Sequence, residues 1–166
     1  MRAQVLSILV QNTTGVLNRV SGLFSRRGYN IESITAGVTA DDRFTRITIV
    51  TSGDELIIEQ IVKQLAKLED VVDIKILKRD ESVERELILM KIKASDTERA
   101  AIVSTANVFR AKIVDVSRDS IVIELTGSKN KLEAFLNLME QYNILELART
   151  GVTALSRGAD DVKYFD

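Results

Sequence analysis

Two hydrophobic rhythms alternate along the chain. Val5 to Val10 is an apolar run too short for a helix and bounded by polar residues, so it predicts a buried strand. Beyond Gly15, the residues Val16, Leu17, Val20, Leu23 and Phe24 recur at helical spacing and lay one apolar stripe along a helix. Gly28 then stops that helix as a left-handed cap would. Asn30 to Val38 alternates as a second strand, Thr39 to Arg43 turns, and Phe44 to Thr51 alternates as a third. Ser52 and Glu55 stand at capping-box spacing before a stripe formed by Ile57 or Ile58, Ile61, Leu65 and Leu68. Val71 to Leu77 is a fourth strand.

After a short charged stretch, Lys78 to Val83, the order recurs. Glu86 to Ala94 predicts a strand with Leu87, Leu89 and Ile92 among its apolar positions. Asp96 or Thr97 caps a helix reaching about Arg110, with Ile102, Ala106 and Phe109 inward. Lys112 to Val116 and Ser120 to Thr126 are strands, and Gly127-Ser128 opens a helix through Tyr142 with Leu132, Phe135, Leu136 and Met139 as its stripe. Ile144 to Leu155 is extended, interrupted at Gly151. The segment from Gly53 to Val71 parallels that from Gly127 to Ile144. The pattern predicts an α+β fold of two tandem ferredoxin-like βαββαβ domains, residues 1–77 and 84–158, joined by a linker at 78–83. A polar tail, 159–166, is expected to be mobile. Such sheets have a bare face and open edges, which invite pairing with another copy of the chain.

Composition narrows the chemistry. The 166 residues carry a net charge of −1, with 45% hydrophobic and 28% charged residues, the balance of a soluble globular protein. Nothing there draws the chain toward nucleic acid or an anionic membrane. No apolar run approaches a membrane span, and the N-terminus reads as a first strand, not a signal peptide, so a cytoplasmic protein is expected. There is no Cys and no His, which removes thiolate nucleophiles, thiolate metal sites and the usual general base. No phosphate-cradling or dinucleotide-binding glycine motif occurs. An enzyme built on this chain alone is not expected. Asp41-Asp42 falls far short of a cation cage, and Arg26-Arg27 suits the carbonyl end of the first helix.

The stretch with most chemical potential is the joint between first strand and first helix, Gln11 to Val16. A strand there delivers the chain through Asn12, Thr13, Thr14 and Gly15 into a helix N-terminus. Unpaired backbone N–H groups and the positive end of the helix dipole can hold a carboxylate at such a place without a charged side chain. Gly15, with no Cβ, admits close approach. The same residue types also serve as plain cap and turn residues. Asn30 starts the second strand, expected beside this loop, and offers two donors and an acceptor; a capping or turn role is its alternative.

The residues that carry this joint also carry a resemblance. The run from Asn12 to Ser33 (NTTGVLNRVSGLFSRRGYNIES) is similar to the opening of the small regulatory subunit of acetolactate synthase (acetohydroxyacid synthase). Thr48 to Asp54 (TIVTSGD), Glu59 to Leu68, Val83 to Leu87, Phe109 to Ser117 (FRAKIVDVS) and Ala148 to Gly158 (ARTGVTALSRG) extend it over nearly the whole chain. The resemblance implies that residues 1–77 form an ACT domain that binds an amino acid and dimerises. It also implies a subunit without catalysis of its own, which binds and activates a catalytic large subunit and makes it sensitive to valine. The valine site it implies comprises Asn12, Gly15, Val16 and Leu17 of one chain, faced by Asn30 and Ile31. Thiamine diphosphate, magnesium and FAD are then expected on the large subunit and no cofactor or metal on this chain. Gln11 and Thr14 depart from the residues frequent in the family. The alternative is a free-standing ACT-type amino-acid sensor with another partner.

Overall fold

A computed structural model describes residues 2–159. Nine strands and four helices follow one another as β1 (Arg2–Gln11), α1 (Val16–Arg27), β2 (Asn30–Val38), β3 (Phe44–Gly53), α2 (Glu55–Leu65), β4 (Val71–Leu77), β5 (Ser82–Lys93), α3 (Asp96–Val108), β6 (Lys112–Val116), β7 (Ser120–Gly127), α4 (Lys129–Met139), β8 (Ile144–Arg149) and β9 (Thr153–Ser156). The expected α+β architecture is present, with the β-α-β-β-α-β order written twice. The stretch read as a linker contains a single 3-10 turn, Arg79–Glu81, and β5 begins directly after it.

In the first unit the sheet runs β2-β3-β1-β4, every neighbouring pair antiparallel. Leu6, Ile8 and Val10 of β1 and Ile47 and Ile49 of β3 face the helices. They meet Val20, Leu23 and Phe24 of α1 and Ile58, Ile61 and Leu65 of α2 in one core. Phe24 and Tyr29 add an edge-on ring contact at 6.0 Å. On the opposite face Val5, Val50 and Leu77 form an apolar row covered by Val152 and Ala154. The covering segment is tied to β2: Thr35 Oγ1 donates to the Val152 carbonyl at 3.0 Å, and the Val152 N–H donates to Ser33 Oγ at 3.4 Å. The chain therefore divides into Glu84–Gly151 and a first unit that combines the residues through Val83 with the segment from Val152. Residues 152–158, read from sequence with the second domain, pack in the first because their apolar side chains fill a row that the helices do not cover. Gly151, at φ 83°, makes the turn that sends them there. Of the stretch expected to be mobile, 160–166 lies outside the described residues.

In the second unit the order is β6-β7-β5-β8. Its core joins Ile88, Met90 and Ile92 of β5 and Ile121, Ile123 and Leu125 of β7 to Ile102, Ala106, Leu132, Phe135 and Met139. Leu89, expected among the apolar positions of this strand, is exposed: Ile88, Met90 and Ile92 set the buried parity, and successive side chains alternate faces. Glu86 is buried beneath Arg149, which donates to it through Nε at 2.9 Å and Nη2 at 3.1 Å. That hydrogen bonding holds the guanidinium protonated more firmly than usual.

The helix starts differ from the expected ones in instructive ways. Ser52 stays in β3, and the Asp54 side chain caps α2 by accepting from the Ile57 N–H at 2.9 Å. Ser95, not Asp96 or Thr97, caps α3 in a full capping box with Glu98. Ser128 caps α4 as expected. Of the four helices among the described residues, α1 alone has no side-chain cap.

Candidate functional site

That uncapped end is built by the Gln11–Val16 joint. Gln11 and Asn12 are anchored by backbone: the Gln11 N–H donates to the Asp70 carbonyl at 2.8 Å and the Asn12 N–H to the Arg43 carbonyl at 2.7 Å. Asn12 also spends its side chain here. Its Nδ2 donates to the Asp42 carbonyl at 2.9 Å, and its Oδ1 accepts from Thr45 Oγ1 at 3.2 Å. The amide thus fastens the 39–43 turn to the joint and retains one N–H and one lone pair for anything else. Within that turn the Arg43 side chain pairs with Asp41, whose carboxyl it holds below the usual carboxylate range, so Asp41 serves the turn.

Gly15 occupies the cap position at φ 82°, ψ 2°, a left-handed conformation that strains any L side chain. Its carbonyl accepts the first helical bond, from the Arg19 N–H at 3.0 Å, while the Val16 N–H reaches the Thr13 carbonyl at 3.3 Å. No acceptor among the described residues takes the N–H of Gly15, Leu17 or Asn18. No acidic residue lies in the first turn. The result is a cluster of free donors at the positive end of a twelve-residue helix, with Val16 buried behind it and Leu17 exposed beside it.

Two residues that sequence reasoning missed hold this loop. Arg19 reaches back from α1 and donates from Nε to Asp70 Oδ2 at 2.6 Å and from Nη2 to the Thr14 carbonyl at 3.2 Å. Thr13 Oγ1 donates to Asp70 Oδ1 at 2.8 Å. Asp70 is therefore held below the usual carboxylate range, first by the Arg19 hydrogen bond and then by the Thr13 hydroxyl. Asp70 lies in the α2–β4 connection, far from Arg19 in sequence, and nothing local signals the pairing. The Arg19 side chain also closes the space over Gly15: a Cβ there would stand 3.0 Å from its Nη1.

Asn30 and Ile31 are not beside this loop within one chain. β2 and β1 each run antiparallel to β3 and hence parallel to each other, so β2 begins at the end where β1 begins. Asn30 pairs with Ser52, whereas Gln11 pairs with Phe44 and Val38 with Thr45. Eight residues of strand separate the two levels, about 25 Å. The expected proximity fails because α1 carries the chain back along the whole sheet before β2 starts. Asn30 is exposed, with Nδ2 donating to Ser52 Oγ at 3.3 Å, and Ile31 packs half-buried against the first core. β2 is also an edge: β3 is its only strand neighbour among the described residues. It carries Ile34 and Val38 exposed.

A βαββαβ unit with an open helix start at its first joint, followed by a second such unit, defines an ACT-type α+β protein. Residues 6–73 match the AHAS small subunit-like ACT domain, and residues 85–158 match the family described as small subunit of acetolactate synthase. A probable acetolactate synthase small subunit from Archaeoglobus fulgidus is 52% identical over 153 residues, 92% of this chain and 96% of that one. The acetolactate synthase small subunit of Mycolicibacterium smegmatis is 50% identical, over 92% and 90%. The crystal structure of the acetolactate synthase small subunit from Thermotoga maritima superposes with a TM-score of 0.90 at 41% identity, covering 96% of this chain and 100% of that one. The chain belongs to the family of acetolactate synthase small subunits.

Proposed function

We propose that this chain is a cytoplasmic regulatory subunit that binds the catalytic large subunit of acetolactate synthase, raises its activity and makes it responsive to valine, itself performing no chemistry. On this reading thiamine diphosphate, magnesium and FAD belong to the large subunit. The observation that carries the regulatory half is the α1 start: the one α-helix among the described residues without a side-chain cap, left-handed at Gly15, with no acceptor among those residues for the N–H groups of Gly15, Leu17 and Asn18. An amino-acid carboxylate fits those donors, and burying an isopropyl group beside Val16 and Leu17 contributes about 1.5–2 kcal/mol.

The separation of Asn12 and Asn30 within one chain supports a site shared between two. If the exposed β2 edges of two copies pair antiparallel about a two-fold axis at Ile34, Asn30 of one copy falls opposite Val38 of the other. Val38 lies at the same end of the sheet as Thr45 and Asn12. Isologous pairing through one edge thus assembles Asn12, Gly15, Val16 and Leu17 of one subunit with Asn30 and Ile31 of the other, twice over. A ligand bridging two subunits fixes their relation, and it inhibits the enzyme by favouring one dimer arrangement over another.

The test is acetolactate formation from pyruvate by the cognate large subunit, with and without this chain, across a valine titration. Activation together with new valine inhibition supports the whole reading. Activation without valine response keeps the partner and points to Gln11 and Thr14. No effect of either kind returns the chain to the alternative of an amino-acid sensor with another partner.

A further inference from the structure

Arg46 serves neither the cores nor the joint. It lies on β3, on the sheet face turned away from the helices, and is half-buried. Its Nη1 donates to Ser7 Oγ at 2.6 Å, and no carboxylate among the described residues lies within ion-pair distance. Asp73 shares its cross-strand row but is separated from it by Leu9, two strand spacings or about 10 Å away. A guanidinium drawn partly out of water is ordinarily paired, and four of its five donors remain available here. Beside it opens a cavity of about 360 Å³, walled by Thr35 to Thr39 of the β2 end, by Arg46 itself and by Thr153 to Leu155 of β9. The walls contain no acidic side chain. Gly37, directly opposite Arg46 in the β2–β3 register, leaves its share of the cavity empty: a Cβ there would meet nothing within 4 Å.

We propose that this cavity binds a small organic carboxylate, with the Arg46 guanidinium holding the charged end and the open space over Gly37 taking the remainder. One planar fork and one positive charge match a monoanionic carboxylate. A phosphate dianion would call for a second cation or a helix N-terminus, and the walls supply neither. The site is separate from the Gly15 joint and does not depend on the valine reading.

The test uses the full chain labelled with ¹⁵N, titrated with sodium acetate against sodium chloride at constant ionic strength. Acetate should produce saturable shifts at the Gly37, Val38 and Thr153 amides and at Arg46 Nε, which chloride does not reproduce. Arg46→Gln should weaken acetate at least about tenfold. Gly37→Val should do the same with a melting temperature little changed, because the added Cβ meets nothing within 4 Å and a β-branched residue suits a strand. Gly15→Asp should leave the acetate shifts intact. Shifts equal in chloride, shifts that survive in Gly37→Val, or shifts abolished by Gly15→Asp would each overturn the assignment. Inorganic phosphate binding more tightly than acetate would overturn the ligand class.

Discussion

The first strand–helix joint of each unit is held in the same way and finished in opposite ways. In the first, the Gln11 and Asn12 N–H groups donate to Asp70 and Arg43; in the second, those of Lys93 and Ala94 donate to Asn143 and Asp119 at 2.9 and 2.8 Å. An arginine stands four residues beyond each cap, Arg19 after Gly15 and Arg99 after Ser95. From these matching anchors the second unit enters its helix through Ser95 alone, whose Oγ accepts from the Glu98 N–H while the Glu98 carboxylate accepts from the Ser95 N–H. The first unit instead interposes Thr13, Thr14 and Gly15 and brings no acid. One joint supplies its own carboxylate and the other leaves the place for it open. The comparison teaches that a shared fold does not make a shared site; loop length and the residue at the cap decide whether a helix start is satisfied from within.

The sharpest way to break the contrast is to convert the first joint into the second. Gly15→Asp places a carboxylate on the free N–H groups, in a conformation that costs an L residue about 1–2 kcal/mol, with Cβ 3.0 Å from Arg19 Nη1. Activation of the large subunit should persist while the valine needed for half-inhibition rises by more than about tenfold; unchanged valine inhibition would remove the site from this joint. Gly15→Ala separates strain from charge and should give a shift of only a few-fold.

The converse change, Ser95→Ala, opens the second joint. It should lower stability by about 1 kcal/mol in thermal or urea unfolding and leave the valine response where it was. A changed valine response would show that the two joints are coupled.

Asp70→Asn tests whether the Arg19 brace matters beyond holding its loop. A pair whose arginine is half exposed is worth about 1 kcal/mol, so stability should move little, while isothermal titration should show valine affinity falling a few-fold as Thr13 and Thr14 loosen. The smallest effect is that of pH. Because the folded pKa of Asp70 is lowered, its stabilisation is complete above the ordinary value of 3.8 and is lost as pH falls through the lower folded value. The Arg19 Nε resonance should therefore stay constant from neutral pH down to about that value and move only below it. Movement near pH 6 would assign the brace to another group.

Most of this architecture was legible in the sequence, because buried faces write their period into it. Val16, Val20, Leu23 and Phe24 announce α1, and the bounds of β2, β4 and β6 follow from alternation and turn residues. Capping was less legible. Ser52 and Glu55 carry the spacing of a capping box, yet Ser52 is needed to pair with Ala3 and Asn30, so Asp54 takes the cap. The open character of Gly15 could be read locally; the Arg19–Asp70 brace could not, because the partners are brought together only when β4 docks beside β1. Asn30 misled for a related reason. Proximity in sequence to α1 says nothing about which end of the sheet a strand starts from.

The segment Val152–Ser156 gives this fold a timetable. The row Val5, Val50 and Leu77 is made early in the chain, but its cover, Val152 and Ala154, lies far downstream of it. On a ribosome adding about 5–20 residues per second, the first unit spends several seconds complete in its helices and sheet yet with that row bare. Closing it is a contact of high sequence separation, slow to form and early to open. Newly made chains should pass through a sticky interval that ends only when Val152–Ser156 emerges, and nascent chains halted before Val152 are where a chaperone would find its purchase.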